Sequence, residues 1–400
     1  MSTSPSIDIF CKVVDNYGDI GVCWRLARQL AARSDCAAVR LWVDDFDSFA
    51  RIAPEVDPAS RWQTLGKITL IRWDATLGDP PDVREAPAQA SVPASAAVCL
   101  PAEALVPADI VIEAFACTPP APYLSRMSHR QIWINLEYLS AESWVESCHG
   151  LPSMQAGGLR KFFFFPGFTE ATGGLLREPD LLARRDTWQA APHARLSLLK
   201  SLGVSDEWLQ RLQAGARLAY VFCYPEAPLT ALLQALAAAE SDTLVLMANG
   251  VGREALSAWT GEHAHNVAVH VHKFVDQDTF DQLLWSSDLN FVRGEDSFVR
   301  AIWAGRPMIW QPYLQEDALH LEKLAAWLAL SPYPAEVKRA MLAWNRQNGP
   351  EFAAAVVPLL APEAFSRWRK EAQGWSRHLA RHADLATQLL TFCAKQSQTS

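Results

Sequence analysis

The amino-acid sequence predicts an α/β protein with two Rossmann-like domains, each built around a parallel sheet. The chain has 400 residues, which is more than one hydrophobic core usually serves. Short apolar runs alternate with helical patterns, which is typical of a parallel, doubly wound sheet. The alternation occurs twice. Residues 169–185, between the two series, lack a strong period, so we interpret them as a linker.

The first series begins with the apolar run at residues 7–14. Val22, Leu26 and Leu30 then recur at helical spacing, so a helix is predicted directly after this run. Residues 79–107 are rich in Pro and Ala with little periodicity, which indicates a loop or an insertion whose role stays open. Further strands are predicted at residues 39–43, 67–73, 109–116 and 131–137.

The second series has the same alternation and ends in a helical region. Its predicted strands are residues 217–224, 243–247, 266–271, 289–292 and 307–310. Its predicted helices are residues 229–239, 279–286, 297–304, 317–330, 335–345 and 351–360, with a long pattern over 362–394. We therefore expect a first domain at residues 1–185, with 362–400 packing back on it, and a second at 186–361.

Composition and charge exclude several functional classes. A net charge of −8 argues against nonspecific binding to nucleic acid or to an anionic membrane. The sequence has no apolar run of about 18 residues and no basic-then-apolar start, so no membrane helix and a cytoplasmic location are expected. The eight cysteines show no CxxC spacing, and His270 and His272 alternate as on a strand face. No metal is expected.

The first polar connection lies between the opening strand and its helix. Asp15, Asn16, Tyr17, Gly18 and Asp19 follow the strand directly, at the sheet edge where ligands of α/β proteins bind. A tight turn alone also favours Asn, Asp and Gly. Two carboxylates beside an aromatic residue are more than a turn requires. They suit an inverting sugar transfer, which needs a general base, and a guanidinium acceptor, which pairs with a carboxylate.

The second polar connection contains Arg293, Gly294, Glu295, Asp296 and Ser297, between a predicted strand and a helix. Helix capping by Asp296 or Ser297 is the plain interpretation. The same geometry forms an anion site, because the first-turn amides and the helix dipole favour negative charge. Arg293 adds a positive charge there, and Glu295 is a bidentate acceptor for ribose hydroxyls.

Aromatic residues lie at the carboxyl ends of the first and third predicted strands of the second series. Phe222 and Tyr224 end the first, and Phe274 follows the third, three residues before Gln277. Aromatic faces stack on nucleobases, and a Gln amide offers the paired donor and acceptor that a pyrimidine edge requires. Phe222 and Phe274 are equally compatible with an ordinary core. This pattern therefore indicates a base site only together with the neighbouring anion site.

Several stretches resemble the protein-arginine rhamnosyltransferases that modify bacterial elongation factor P, the EarP family. The likeness covers nearly the whole chain. The stretches that carry it are residues 8–25, 134–142, 164–168, 222–224 and 291–298. The resemblance implies a GT-B fold, with two Rossmann-like domains facing each other across a cleft and a C-terminal helix crossing back to the first domain. From pattern alone, a periplasmic-binding-protein-like fold fits nearly as well.

The resemblance also implies a reaction and a set of site residues. The reaction is an inverting transfer of L-rhamnose from dTDP-β-L-rhamnose to one arginine of elongation factor P, without metal or other cofactor. Asp19 is then the general base, Asp15 supports it and the acceptor guanidinium, and Glu295 is the third catalytic candidate. The other substrate-site residues are Asn16, Tyr17, Gly18, Phe222, Tyr224, Phe274, Gln277, Arg293, Gly294, Asp296 and Ser297.

Two other classes remain as alternatives. One is a nucleotide-sugar epimerase or dehydrogenase with a Rossmann domain. Gly18 and Gly21 do not provide the GxGxxG spacing that such enzymes place after the first strand. The other is a non-catalytic two-domain binding protein, which accounts for a ligand site but not for the paired carboxylates. Neither alternative accounts for both polar connections.

Overall fold

A computed structural model describes residues 4–15, 17–73, 102–252, 259 and 265–399. Two of the predictions from the sequence concern residues outside these ranges. Asn16 lies outside the described residues, and so does most of the Pro/Ala-rich stretch, from 79 to 101. The chain divides into two compact units. Unit 1 comprises Met1–Tyr138, Cys148–Pro166 and Leu385–Ser400, and unit 2 comprises Leu139–Ser147 and Gly167–Asp384.

The helices are numbered in chain order through both units. They are α1 (Gly18–Ala31), α2 (Phe46–Ile52), α3 (Ala121–Leu124), α4 (Trp144–Cys148), α5 (Leu181–Gln189), α6 (Pro192–Ser201), α7 (Asp206–Gln213), α8 (Leu229–Ala237), α9 (Gln277–Ser286), α10 (Asp296–Ala304), α11 (Leu319–Leu330), α12 (Ala335–Asn345), α13 (Gly349–Val356), α14 (Pro362–Leu379) and α15 (Leu385–Thr399).

Unit 1 contains an eight-stranded sheet with the order β3-β4-β2-β1-β5-β6-β8-β7. All neighbours pair in parallel except the two edge pairs, β3 with β4 and β7 with β8. The strands are β1 (Ser6–Cys11), β2 (Ala38–Val43), β3 (Trp62–Leu65), β4 (Ile68–Arg72), β5 (Ile110–Ala114), β6 (Ile132–Leu136), β7 (Pro152–Met154) and β8 (Arg160–Phe164).

Strand β1 is buried on both faces, as a central strand of a parallel sheet must be. This explains why residues 7–14 show no clean alternation of apolar and polar side chains. The exception, Asp8, is a fully buried carboxylate that accepts two hydrogen bonds from the Arg40 guanidinium. The Tyr123 hydroxyl and Trp42 Nε1 also donate to it. Asp8 is therefore a structural group that ties β1 to β2 and α3.

The strand order reverses at β1 in unit 1. The chain runs from β1 outward to β2 on one side and later returns to β5 on the other. Ligands of open α/β sheets bind at such a switch point, outside the carboxyl ends of the strands. Asp15 in the β1–α1 loop and Asp19 at the start of α1 lie at this switch point.

Unit 2 contains a five-stranded, fully parallel sheet with the order β11-β10-β9-β12-β13. Its strand order reverses at β9, beside β12. Tyr224 lies in the loop after β9 and Arg293 is the last residue of β12, so this predicted site also lies at a switch point. The strands are β9 (Arg217–Val221), β10 (Thr243–Ala248), β11 (Val267–His272), β12 (Leu289–Arg293) and β13 (Met308–Gln311).

A tryptophan-rich core holds helix α10 on the sheet of unit 2. The Phe298 ring stacks on the Trp310 indole with centroids 3.8 Å apart, and Trp327 packs edge-on against both. Trp310 Nε1 also donates to the Gly294 carbonyl at 2.7 Å. This core therefore fixes the loop that precedes α10 as well as the helix itself.

The units differ from the domains expected from the sequence in three segments. Residues 139–147 belong to unit 2, although they were expected in the first domain. Residues 167–185 belong to unit 2 and are not a free linker, since the Arg300 guanidinium binds Glu178 and the Arg185 guanidinium binds the Trp303 carbonyl. The long pattern at 362–394 is two helices. Of these α14 belongs to unit 2, and only α15 packs in unit 1.

Among the described residues, no helix is both long and apolar enough to cross a membrane. His270 and His272 lie on β11, as the alternation predicted, and both bond to backbone carbonyl groups, of Leu202 and Lys273.

Candidate active site

The Asp19 carboxylate is buried at the start of α1. The residue is 2% exposed. Its Oδ2 accepts hydrogen bonds from the backbone N–H groups of Val14, at 2.8 Å, and Asp15, at 2.9 Å. Charge-assisted bonds of this kind are short and directional, so they fix the orientation of the carboxylate within the loop.

The environment of Asp19 shifts its affinity for protons. Burial raises the pKa of the Asp19 carboxyl above its ordinary value. The N–H groups of Asp15 and Val14 and the Tyr138 hydroxyl lower this pKa, whereas the charge of Asp15 raises it further. The net result is a carboxylate that accepts a proton more readily than an exposed aspartate does, which suits a general base.

Gly18 packs against the side chain of Asp15. The Gly18 N–H donates to the Asp15 carbonyl at 2.6 Å. A Cβ on Gly18 would lie 2.6 Å from Asp15 Oδ2, closer than such contacts occur. Glycine at this position therefore leaves room for the Asp15 carboxylate to fold back over the first turn of α1.

Tyr138 belongs to the same cluster, although it was not among the site residues predicted from the sequence. Its hydroxyl lies 3.4 Å from Asp19 Oδ1, and its ring stacks on Phe115 with centroids 4.4 Å apart. Phe115 follows β5 with a φ of 59°, a left-handed conformation that non-glycine residues rarely adopt. Tyr138 follows β6, so the rule that located Asp15 also applies to it: polar groups at the carboxyl ends of strands are site candidates.

Tyr17 is the other predicted residue of this loop that the structure describes. It is half-buried, and its hydroxyl accepts a hydrogen bond from Arg51 Nη1 at 3.2 Å. Unit 1 thus brings Asp15, Gly18 and Asp19 together and adds Tyr138.

In unit 2, the loop from β12 to α10 is closed by its own hydrogen bonds. Gly294 has a φ of 63°, and its N–H donates to the Gln311 carbonyl at 2.9 Å. The buried Ser297 hydroxyl accepts from the Arg293 N–H at 3.1 Å and donates to the Arg293 carbonyl. Ser297 therefore stabilises the loop, and the N-cap residue of α10 is Glu295, which makes no side-chain cap.

The carboxylate of Glu295 has two partners within unit 2. Lys323 Nζ donates to Oε1 at 2.6 Å, and the Leu139 N–H donates to Oε2 at 2.9 Å. Lys323 lies on α11 and was not a site candidate from the sequence. It balances the negative charge that Glu295 would otherwise bring to an anion site at α10.

Arg293 packs on the aromatic wall formed by Phe222 and Tyr224. Its guanidinium carbon lies 4.5 Å from the centroid of the Phe222 ring and 4.7 Å from that of Tyr224. Arg293 Nη1 also donates to the Cys223 carbonyl at 3.3 Å. The positive charge of Arg293, which was predicted to lie beside α10, thus lies over the aromatic rings at a distance typical of cation–π contacts.

Phe274 extends this wall. Its ring meets Phe222 edge-on with centroids 6.4 Å apart, and Phe280 of α9 packs against Phe222 at 5.4 Å. Gln277 is buried at the first residue of α9, which Asp276 caps through a bond to the Thr279 N–H. Unit 2 thus gathers the predicted aromatic residues around the β9 and β12 loops.

Within the residues that the structure describes, no group of three His, Cys, Asp or Glu side chains could hold a metal ion.

Solved structures define the class of this fold. The UDP-glucosyltransferase from Polygonum tinctorium has a TM-score of 0.50 at 12% identity, over 100% of this chain and 99% of that one. Together with the two sheets and their switch-point loops, this likeness gives the fold of GT-B type glycosyltransferases.

The chain belongs to the family of elongation factor P (EF-P) rhamnosyltransferases, EarP, whose model matches residues 7–394. A protein-arginine rhamnosyltransferase from Pseudomonas aeruginosa is 44% identical over 97% of this chain and 99% of its own length. A solved EarP structure, which concerns arginine glycosylation of translation elongation factor EF-P, has a TM-score of 0.63 at 32% identity. It covers 98% of this chain and 99% of that one.

These findings confirm three predictions from the sequence: the family, the α/β fold of GT-B type and the enzyme class, a protein-arginine rhamnosyltransferase. The epimerase, dehydrogenase and binding-protein alternatives are not classes of this family.

Proposed function

We propose that this enzyme transfers L-rhamnose from dTDP-β-L-rhamnose to the guanidinium of one arginine in elongation factor P, with inversion at the sugar. A guanidinium nitrogen attacks C1 as the bond from C1 to the diphosphate oxygen breaks. Asp19 takes the proton that this nitrogen loses, and dTDP leaves. The product is an α-linked rhamnosyl arginine. The reaction belongs in the cytoplasm, because its acceptor is a translation factor.

The observation that carries this proposal is the state of Asp19. A buried carboxylate with a raised pKa, at a strand's carboxyl end, costs stability, and the groups that donate to Asp19 are neutral: two backbone N–H groups and the Tyr138 hydroxyl. Such groups concentrate at functional sites. A positioned base contributes about 10²–10⁴-fold to a rate.

Asp15 supports the acceptor side of the reaction. A guanidinium pairs with a carboxylate through two parallel hydrogen bonds, which also fix its plane. The Asp15 carboxylate, held against Gly18, is half-buried and adds negative charge near Asp19. It therefore favours the approach of a positively charged acceptor.

The donor binds in unit 2. The thymine lies against the wall of Phe222, Tyr224 and Phe274, with Gln277 at its edge. The diphosphate lies at the start of α10, where Gly294 lets a ligand approach the backbone. Glu295 and Asp296 bind the ribose, and Lys323 holds the Glu295 carboxylate in place. We expect no metal, because the helix N-terminus and nearby cations supply the positive charge. Transfer should therefore persist in EDTA.

The direct test is intact-mass spectrometry of elongation factor P after incubation with this enzyme and dTDP-β-L-rhamnose. The expected result is one deoxyhexose increment on the factor from the same organism. The control replaces the acceptor arginine by lysine and should stay unmodified. No increment on the matched, unmodified factor would show that the proposal is wrong. Proton NMR of the product checks inversion through the anomeric coupling.

The variant Asp19→Asn tests the assigned base. The amide oxygen keeps acceptor capacity for the Val14 and Asp15 N–H groups but cannot take a proton. Transfer should fall by about 10²–10⁴-fold, while calorimetry shows dTDP-rhamnose binding unchanged. The melting temperature should not fall, because the raised pKa of Asp19 means that its ionisation costs stability at neutral pH. If Asp19→Asn also lost dTDP-rhamnose binding, the general-base role assigned to Asp19 would be wrong.

A further inference from the structure

Unit 2 contains a cavity at the amino ends of its strands. It therefore lies at the opposite edge of the sheet from the loops described above. It is half-open, with a volume of about 320 Å³, near the lower end for small-molecule sites. Helices α5, α6, α7 and α9 form its walls. Its lining includes Trp188, Arg195, Leu212, Trp285 and Arg306.

Four arginines surround one carboxylate beside this cavity. Arg195 Nη2 donates to Asp288 Oδ2 at 2.9 Å, and Arg369 Nη2 lies 3.4 Å from Asp288 Oδ1. Arg217 Nη2 donates to the Leu360 carbonyl, and Arg306 Nη2 lies 3.4 Å from the Trp285 carbonyl.

The guanidinium groups are close enough to act on one another. Arg217 and Arg369 both pack over the ring of Phe365, with guanidinium carbons 4.2 and 5.4 Å from its centroid. Burial lowers the pKa of Arg306, Asp288 raises it, and the charges of Arg369, Arg195 and Arg185 lower it further. Arg185 has its own exposed partner, Asp186. The four arginines thus face Asp288 with an excess of positive charge.

Each of these four arginines has a buried N–H atom without a hydrogen-bond partner among the described residues. The atoms are Arg195 Nε, Arg217 Nη1, Arg306 Nε and Arg369 Nε. Arg217 as a whole is only 8% exposed. An unsatisfied buried donor is costly, more so when it is charged, and native proteins leave few of them without a bound ion or water. These four atoms are closed off from the cavity, so a ligand there would meet the other N–H groups of Arg195 and Arg306, the two arginines that line it.

We propose that this cavity binds a small phosphate-bearing anion. A phosphate group accepts bidentate hydrogen bonds from guanidinium groups. It would also balance the positive charge of the arginines that Asp288 alone does not neutralise. The indoles of Trp188 and Trp285 form an apolar wall beside the arginines, so an organic group attached to the phosphate has a surface to pack on. This site is independent of the transfer reaction.

The experiment measures binding of two probes to the full-length enzyme by calorimetry and thermal shift, with chloride at equal ionic strength as reference. Inorganic phosphate should bind saturably and raise the melting temperature, whereas chloride should not. Phenyl phosphate should bind more tightly than inorganic phosphate if the tryptophan wall contributes. Equal affinities would mean that the anion alone is recognised. Absence of saturable binding of both probes, or an equal effect of chloride, would overturn the proposal.

Variants locate the site. Arg195→Gln should weaken phosphate binding about tenfold or more, because it removes a charge-assisted bond. The matched control is Arg339→Gln, an exposed arginine on α12, which should leave binding unchanged. Arg293→Gln, at the β12 loop, weakens any phosphate binding at α10 but should leave the Arg195-dependent binding unchanged. Loss in Arg293→Gln but not in Arg195→Gln would place the phosphate at α10 and refute the site.

A second variant covers the case in which Arg195→Gln does not fold, as judged by circular dichroism. Arg369 is 38% exposed on its side chain, so Arg369→Gln tolerates the change better. It should also weaken phosphate binding, and unchanged affinity would count against the site.

Discussion

Gly18 shows at the level of one residue how the fold serves the candidate site. It lies in the first turn of α1, where helix formation alone favours alanine. Alanine would place a Cβ 2.6 Å from Asp15 Oδ2. The obstructing atom is the end of a side chain, so the contact is relieved by moving the Asp15 carboxylate. Glycine is therefore needed at this position to leave the Asp15 carboxylate where it is, and not to form the helix.

The variant Gly18→Ala should lower kcat/KM by about 10²-fold, the usual cost of a misplacement near 1 Å. Its melting temperature should change little, because the fold itself is not strained. The control is Gly374→Ala in α14, where no described atom lies within 4 Å of the added Cβ. That control should gain about 0.5–1 kcal/mol of stability without loss of activity. A Gly18→Ala enzyme with full activity would contradict the role of Asp15.

Tyr138→Phe should shift the pH dependence of the reaction. A general base works deprotonated, so kcat/KM falls as pH drops through the pKa of Asp19. That pKa is already raised by burial, and the Tyr138 hydroxyl lowers it. Removing the hydroxyl raises it further, so the acidic limb of the kcat/KM profile should move to higher pH. An unmoved limb with a lower plateau would mean that Tyr138 positions substrate without acting on Asp19.

At the level of elements, a buried ion cluster joins α9, α10 and the segment before α5. Arg300 is 2% exposed and makes two hydrogen bonds to Asp281, at 3.0 and 2.6 Å, and one to Glu178 at 2.7 Å. Burial opposes the charge of Arg300, but Asp281 and Glu178 outweigh it and raise its pKa. The cluster therefore anchors the residues that the sequence suggested as a linker.

Asp281→Asn should cost about 3–5 kcal/mol of unfolding free energy, because it leaves the Arg300 charge only partly compensated in a buried place. Urea denaturation measures this. The control is Lys200→Gln at the exposed pair of Lys200 and Asp206, which should cost at most about 1 kcal/mol. A loss in Asp281→Asn no larger than the control's would show that the cluster is unimportant for stability.

The sequence located most strands within one or two residues. Residues 109–116 were predicted where β5 covers Ile110–Ala114, and residues 289–292 where β12 covers Leu289–Arg293. Buried parallel strands give continuous apolar runs that are hard to mistake. The helices α5, α6 and α7 were not predicted, because few of their residues are apolar and buried: α5 buries only Leu181. Their helical period is therefore weak.

The candidate site was predictable in part for the same reason. Asp15, Asp19 and the Arg293–Ser297 loop follow strands directly, so topology alone gathers them at the carboxyl ends. The partners of Glu295 were not predictable. Lys323 lies 28 positions away and Leu139 lies 156 positions away, on elements whose side-chain pairing leaves no periodic signal. The break between α14 and α15 contains no Pro or Gly, so the two helices were predicted as one.

At the level of the whole molecule, the chain leaves and re-enters unit 1 more than once. The last helix, α15, packs on α1 and β6 and completes unit 1, although the preceding helix belongs to unit 2. Phe392 on α15 meets the rings of Phe162 and Phe164, with centroids 5.4 and 5.7 Å apart. Arg33 Nη1 adds a hydrogen bond to Thr387 at 3.1 Å. The end of the sequence thus stabilises the unit that carries Asp19.

Phe392→Ala should therefore destabilise unit 1 selectively, by about 2–3 kcal/mol for a half-buried ring. Hydrogen exchange should become faster in α15, β6 and β8 and stay unchanged in β9 to β13, because the two sheets have separate cores. The control Thr391→Ala removes an exposed hydroxyl that bonds within the same helix, to the Thr387 carbonyl, and should leave exchange unchanged in both units. Equal acceleration in both sheets would mean that the units unfold as one. In that case, the stability of the Asp19 loop would depend on the whole molecule and not on α15.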